Sequence, residues 1–481
     1  MTQLQPGKEH PVTDHAQLST GHNKGTSEKP SPLVIGYIGG GSRNWAVALM
    51  RDLAMCPHLT GEVRLYDTDH DAAAFNARYG AWVQSHPDAK SRWTYRAVPT
   101  LKAALRGADF VFCSIEPGPI AYFASNLRLP EEYGIYQAVG DTVGPGGNVR
   151  ALHAIRAYRQ FAAAIAEHAP RAWVLNFTNP MTVCTRTLYS VFPGIHAYGC
   201  CHEVFGSQAL LGRVYADETG DEPPARHEVC VNVLGLNHFT WIDRATCRGA
   251  DLLALLRRHL NKKGVVRPYT PREVRAYTKH NVWAGRHQVA FELFRRFGVL
   301  GAAGDRHLAE FVPWFLTSRD SCYRWGFCLT PAAFRVRHAA RMRALRRREL
   351  AQGKPLPLGG SGEEYLSQML ALIGRGDLQT NVNLPNRGQM LNVPQDAVVE
   401  TNAHFSRDAV TPLTAGALPP NVNTWILRHV ANQETLIRAG LTADKDLAFQ
   451  AFLNDPLMRL DIDRAWRLFN RMLSATGYTF R

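Results

Sequence analysis

Apolar residues in this chain first gather at Leu33-Val34-Ile35-Gly36-Tyr37-Ile38, a short continuous run of the kind that forms a strand buried on both faces. The run leads straight into Gly39-Gly40-Gly41-Ser42, and from about 44 to 54 the pattern becomes helical. The alternation continues with a strand at 62–66, a helix at 69–87, a weak strand near 93–98, a helix at 99–106 and the strongly apolar strand 108–113. A long polar stretch follows, through Leu129 to Gly134 and the glycine-rich Gly140 to Asn148; a stretch of that length after a sheet strand points to function or disorder. Then come a helix at 149–168, a strand at 173–177, a helix at 180–191 and a short apolar run at 195–198. Strands alternating with helices build a parallel sheet whose ligand sits at the carboxyl ends of the strands.

Near residue 200 this rhythm stops. Segments 228–236 and 239–244 read as antiparallel strands, and helices dominate thereafter: one at 280–297, an arginine-rich one around 335–348, and others around 420–440 and 443–475, with a strand at 397–401 among them. The expected fold is α/β: a Rossmann-like parallel sheet at 31–200, then an α+β, largely helical domain at 201–481, an arrangement like that of lactate and malate dehydrogenases. Residues 1–30 carry almost no large apolar side chains and read as a disordered tail. No apolar run is long enough to cross a membrane and no signal-peptide pattern opens the chain, which predicts a cytoplasmic protein.

Strand, glycine turn and helix at 33–54 suit a dinucleotide. The glycines permit a tight turn and a close approach to a pyrophosphate, whose charge meets the amides at the helix N-terminus. The third glycine of the usual fingerprint is missing, because Trp45 follows Ser42-Arg43-Asn44. Gly39, Gly41 and Ser42 are the expected cofactor contacts. Asp67, at the end of the second strand, stands where a carboxylate takes the ribose hydroxyls, which favours NAD over NADP.

Two later strand ends carry metal-binding side chains: Gly199-Cys200-Cys201-His202-Glu203 and Gly235-Leu236-Asn237-His238. A thiolate and an imidazole brought together there hold a divalent metal with positions left open for substrate, although a Cys or His at a strand end is more often a packed core residue. Asn176 and Asn179 end a strand just before a proline-started helix, suited either to sugar or nicotinamide hydrogen bonds or, for Asn179, to capping the helix. Gly304-Asp305-Arg306-His307 gathers titratable groups before an apolar run, with an N-cap as the plain alternative for Asp305.

Nine cysteines, odd in number and mostly within apolar runs, indicate reduced thiols. The net charge is +14, and seven arginines between Arg335 and Arg348 supply about half of it. That helix reads as a solvated basic face, with an anion-binding or nucleic-acid face as the alternative. No aromatic and basic interleaving accompanies it, so no nucleic-acid partner is expected.

Taken in order, Gly39-x-Gly41-Ser42, Gly144-Pro-Gly-Gly147, Asn176-x-x-Asn179-Pro-Met181, Cys201-His202, Gly235-Leu-Asn-His238, Asn386-x-Gly388 and Val398-Val-Glu400 resemble the family 4 glycoside hydrolases over about 33–475. The stretches Glu292 to Gly298 and Ala303 to Phe311 look most like the α-galacturonidase branch. That family is an NAD-dependent exception to two-carboxylate glycoside hydrolysis. The resemblance implies NAD⁺ and a divalent cation, usually Mn²⁺, held by Cys201 and His238. It implies oxidation at C3, removal of the C2 proton, elimination of the C1 oxygen, water addition and re-reduction, in a homodimer or homotetramer. His202 becomes the candidate acid or substrate ligand, and Asp305 the first candidate base, ahead of Tyr277 and Tyr323. Arg306, with His307 beside it, is the expected contact for a uronide carboxylate. The rivals are an α-galactosidase or α-glucosidase of the same family, an NAD-dependent 2-hydroxy acid dehydrogenase, and an NAD-sensing nucleic-acid binder.

Overall fold

The structure is a computed structural model, and it describes residues 32–264, 267–279, 285–329, 331–353 and 358–480. The expected tail at 1–30 lies outside the described residues. Six strands come first: β1 (Leu33–Ile38), β2 (Gly61–Tyr66), β3 (Trp93–Ala97), β4 (Phe110–Cys113), β5 (Trp173–Asn176) and β6 (His196–Gly199). They pair in parallel in the order β6-β5-β4-β1-β2-β3. Residues 35–38 of β1 and all of β4 are buried, as continuous apolar runs between two helical layers require.

The second half adds β7 (Cys230–Leu236), β8 (Phe239–Cys247), β9 (Ala250–Asp251) and β10 (Leu300–Gly301), which form a small antiparallel sheet. The remaining strands, β11 (Leu378–Pro385), β12 (Val398–Ser406) and β13 (Ala409–Pro412), leave that sheet and extend the first one. β11 lies antiparallel to β6 with Asn383 opposite Gly199, so a single sheet of nine strands spans the boundary expected near 200. Asn402 on β12 donates to the Val231 carbonyl on β7 (2.7 Å), fastening the two sheets together.

Three elements differ from the pattern reading. The polar stretch after Gly118 contains a helix, Ile120–Glu131, whose apolar side is set by Phe123, Leu127 and Leu129. The helix expected to begin at Val149 begins at Gly144 and runs to His168, with Pro145 in its first turn, where a missing amide costs nothing. The single helix expected at 443–475 is two, Lys445–Leu453 and Ile462–Ala475. The intervening segment contains Pro456, which cannot continue a helix, and the second helix restarts on an Asp461 cap.

Candidate active site

The carboxyl ends of β1, β2, β4, β5 and β6 open on one cavity of about 2410 Å³. At one end lies the glycine turn. The Gly39 and Gly40 amides donate to the Tyr66 carbonyl (2.9 and 2.8 Å), and the Gly41 amide donates to Asp67 Oδ2 (2.8 Å). Gly39 has φ 92, and a Cβ there would lie 2.0 Å from the Ser114 carbonyl oxygen. A Cβ on Gly41 would lie 2.9 Å from Asp67 Oδ2, so only glycine lets the turn and the carboxylate meet. Gly39, Gly41, Ser42 and Asp67 all line the cavity, and the helix Trp45–Met55 begins there. A backbone cradle, a helix N-terminus and a carboxylate at the end of β2 fit a dinucleotide.

At the other end, among the described residues, the ligand atoms of Asp141, His238 and His307 lie within 4.8 Å of one another, and all three side chains are buried. His238 occupies the two-residue turn between β7 and β8 with φ 65. Its Nδ1 meets Thr142 Oγ1 at 2.9 Å, and that hydroxyl donates to Asp141 Oδ1 (2.8 Å). The contact fixes the ring and leaves Nε2 for a cation. The His238 and His307 rings lie 3.7 Å apart. Burial pushes them down to about 3 and about 4, so both are neutral at neutral pH, as metal ligands must be. Burial is the largest influence on Asp141 and opposes its charge, but the surrounding positive groups, Arg335 foremost, together outweigh it and hold the carboxyl well below its ordinary range; Arg335 Nη2 stands 2.6 Å from Asp141 Oδ2. One carboxylate and two neutral imidazoles fit a divalent transition metal. Cys201 lines the same cavity but is outside this closest group. Burial first, and then Glu400 and Glu203, raise its thiol well above the ordinary value, so in this state it is protonated.

The segment carrying Asp141 is held by two buried carboxylates. Glu310 accepts the Val139 and Gly140 amides through Oε1 (2.7 and 2.9 Å), and Asp455 accepts the Gly144 amide (2.8 Å). Below Cys201 and His238, Glu400 is caged by the amides of Asn381 (2.7 Å), Asn383 (3.0 Å) and Asn237 (3.1 Å).

A profile of family 4 glycosyl hydrolases matches residues 34–216, and that of the family's C-terminal domain matches 233–458. The chain belongs to glycosyl hydrolase family 4. It is 48% identical to an alpha-galacturonidase of Thermoanaerobacterium saccharolyticum, over 94% of this chain and 97% of that one. It is also 48% identical to an alpha-galacturonidase of Bacillus subtilis, over 92% and 97%. An alpha-galactosidase of Rhizobium meliloti is 25% identical, over 92% and 88%. Among solved structures, the Bacillus subtilis lplD protein superposes with a TM-score of 0.86 at 47% identity, covering 92% of this chain and 100% of that one. A 6-phospho-alpha-glucosidase from gut microorganisms, solved with NAD and Mn²⁺, shares the fold at TM-score 0.77 and 18% identity, covering 93% and 98%.

Within this family 4 enzyme the residues expected at the site separate into three groups. His202, Asn179, Cys201 and the glycine-turn residues line the cavity as expected. Half-exposed His202 pairs through Nδ1 with Glu363 Oε1 (2.9 Å), and this hydrogen bond raises the imidazole to about 9. His307, expected to bind substrate, lines the cavity beside His238 as a member of the candidate cation group. Three others hold structure. Asn176 is fully buried, accepts from Tyr158 and the Thr178 amide, and donates to Thr185, so its amide serves the strand end and does not line the cavity. Arg306 donates through Nη1 to the carbonyls of Ala138 (2.7 Å) and Cys328 (3.2 Å), which makes it a brace between backbone segments. Asp305 lines the cavity, but its Oδ1 accepts the Val289 and Ala290 amides (3.1 Å each) and so caps the helix Gln288–Phe297, not the turn that follows it in sequence. Burial raises this carboxyl to about 6. Tyr277 belongs to the helix Pro271–Thr278, and its side chain lies outside the described residues.

Sequence reasoning missed Asp141, Thr142, Glu363 and the inward role of Arg335. The signal for the first two was an Asp-Thr pair inside a glycine-rich stretch too long to be a connector. The arginine helix, Pro331–Gln352, is not simply a solvated face. Arg335 reaches Asp141, and buried Arg346 donates to the Arg43 carbonyl (2.9 Å), while Arg337, Arg341, Arg343, Arg347 and Arg348 are exposed. No helix among the described residues is long and apolar enough to cross a membrane.

Proposed function

We propose that this enzyme is an α-galacturonidase that cleaves small α-linked galacturonides by transient oxidation, C2 deprotonation, elimination, water addition and re-reduction. The observation that carries the proposal is the junction, in one cavity, of a dinucleotide cradle and a buried Asp141, His238 and His307 group. The 48% identity to two alpha-galacturonidases supports the uronide.

When bound, NAD⁺ supplies reversible oxidation of the sugar, and a divalent cation such as Mn²⁺ supplies Lewis-acid polarisation of the oxygen beside the carbon that loses its proton. The chain's own residues do the rest. The amides at Gly39 to Ser42 and the Asp67 carboxylate hold the dinucleotide. Asp141, His238 and His307, with Cys201 on the same wall, hold the cation. Thr142 fixes the His238 ring. His202, paired with Glu363, is positioned to hold a proton for the departing oxygen. Asp305, with one oxygen spent on the helix cap, is the proposed base at C2. A reducing cytoplasmic setting belongs to the same proposal, supported by nine free cysteines, as does a homodimer or homotetramer, tested by light scattering.

The deciding experiment is hydrolysis of α-galacturonides, α-galactosides and α-glucosides in D₂O with NAD⁺, Mn²⁺ and thiol, reading deuterium at C2 of the released sugar. Turnover of the galacturonide with deuterium at C2 is expected. Hydrolysis of neutral glycosides alone would overturn the uronide assignment. Galacturonide hydrolysis that proceeds without NAD⁺ would overturn the route.

A further inference from the structure

A dense run of positive charge borders the cavity. The helix Pro331–Gln352 carries seven arginines and one acid, Glu349. It is fastened at both ends of the site. Near its start Arg335 meets Asp141 at the cation end (2.6 Å). Near its close Arg346 donates to the Arg43 carbonyl beside the glycine turn (2.9 Å), and Glu349 accepts the Tyr79 hydroxyl (2.8 Å). The stretch from Arg335 to Arg346, about 17 Å at roughly 1.5 Å per residue, therefore runs along the cavity from the cation end to the dinucleotide end.

Four arginines of this helix, Arg337, Arg341, Arg343 and Arg347, are exposed and line the cavity. Among the described residues none of the four enters an ion pair. The helix's one acid does not face them: Glu349 is buried against Tyr79 and lies 3.7 Å from Arg51. Arg337 and Arg341 stand four residues apart, as do Arg343 and Arg347, a spacing at which like charges repel and weaken the helix that carries them. A merely solvated face is better served by mixed signs; an approaching anion relieves the repulsion. On the cavity wall, Glu116 already pairs with Arg150 and Asp141 with Arg335, so the four exposed charges come in addition to those pairs.

A cleft bordered by charges of one sign focuses their field and raises the local concentration of ions of the other. We propose that Arg337, Arg341, Arg343 and Arg347 form a capture rim that draws anionic glycosides into the cavity by their field and does not fix the sugar in the reacting complex. This rests on the uronide reading and deepens it, since a neutral glycoside gains nothing from the rim. Its signature is an effect on capture that fades with salt, because the screening length falls from about 30 Å at 0.01 M to about 8 Å at 0.15 M.

The test is kcat/KM for an aryl α-D-galacturonide, with the full-length enzyme at saturating NAD⁺ and Mn²⁺, from about 10 to about 300 mM salt. One variant combines Arg337→Gln, Arg341→Gln, Arg343→Gln and Arg347→Gln; a second changes the same four to Lys. A control lowers the net charge equally by changing Arg171, Arg244, Arg258 and Arg438 to Gln, all exposed and none lining the cavity. The glutamine set is expected to lose roughly tenfold in kcat/KM at low salt and about twofold or less at high salt, with kcat changed by no more than about twofold. The lysine set and the control stay within about twofold of wild type, because the field needs charge at the rim and not the guanidinium fork. A glutamine set that keeps wild-type kcat/KM at low salt, even one that loses NAD⁺ affinity, overturns the proposal. So does a loss that is equal at all salts, is matched by the control, or is shared by the lysine set. Where the glutamine set fails to fold, Arg337→Gln combined with Arg341→Gln decides: a roughly threefold loss that fades with salt supports the rim, and an unchanged kcat/KM overturns it. A wild type that hydrolyses neutral glycosides and no galacturonide overturns the uronide reading itself.

Discussion

Replacing Glu400 with glutamine tests whether the polar cage beneath the site is held by a buried charge. Three amides point at this carboxylate: Asn381 at Oε1, and Asn237 and Asn383 at Oε2. Burial nevertheless outweighs their pull and raises the group from its ordinary 4.5 to about 7. At about 1.4 kcal/mol for each pH unit between the two values, the difference is worth on the order of 3 kcal/mol. Its sign follows from proton binding. Between 4.5 and 7 the folded protein holds a proton that the unfolded chain has released, so stability is greatest below 4.5, falls as the pH rises through 7, and levels off above it. Glutamine does not titrate, and it sets one amide against the Asn381 donor, which costs roughly 1–3 kcal/mol at every pH. The destabilisation of Glu400→Gln relative to wild type is therefore largest near pH 5 and shrinks by on the order of 3 kcal/mol near pH 8. Urea midpoints of both proteins across that range measure it. A difference that stays flat, or grows with pH, refutes the balance of burial over hydrogen bonding on which the number rests.

Two further outcomes separate structural from chemical roles. Asn176→Ala leaves the Tyr158 hydroxyl and the Thr178 amide without their acceptor, and is expected to cost about 3 kcal/mol in urea denaturation while leaving Mn²⁺ affinity unchanged. A normal midpoint with impaired sugar binding would return Asn176 to the substrate. His307→Ala is expected to weaken Mn²⁺ binding by at least about a hundredfold, like His238→Ala, as measured by spin resonance; wild-type affinity would remove His307 from the cation group and leave Cys201 with His238 as the sequence alone suggested.

What the sequence revealed of this enzyme follows how far apart the cooperating residues lie. The strands and the glycine turn were legible because each is written in neighbouring residues: the apolar run 33–38, the glycines after it, and Asp67 one strand later. His238 was legible because a glycine-containing motif at a strand end marks a tight turn. The extension of the first sheet by β11 to β13 was not, because nothing in 378–412 states which edge those strands will meet. The structural partners of Arg306 and Asp305 were hidden for the same reason. A guanidinium and a carboxylate advertise chemistry in a sequence, yet their partners here are backbone groups at 138, 328, 289 and 290, which have no residue-type signature. Asp141 shows the converse. It had no motif of its own, and it joins the candidate cation group because two carboxylates far along the chain, Glu310 and Asp455, accept amides on either side of it. A glycine-rich segment offers many unpaired amides, so a buried carboxylate from elsewhere fixes its path more firmly than its own side chains do. Its length pointed to a function; the fold adds that it carries Asp141, a member of the candidate cation group and the partner of Arg335.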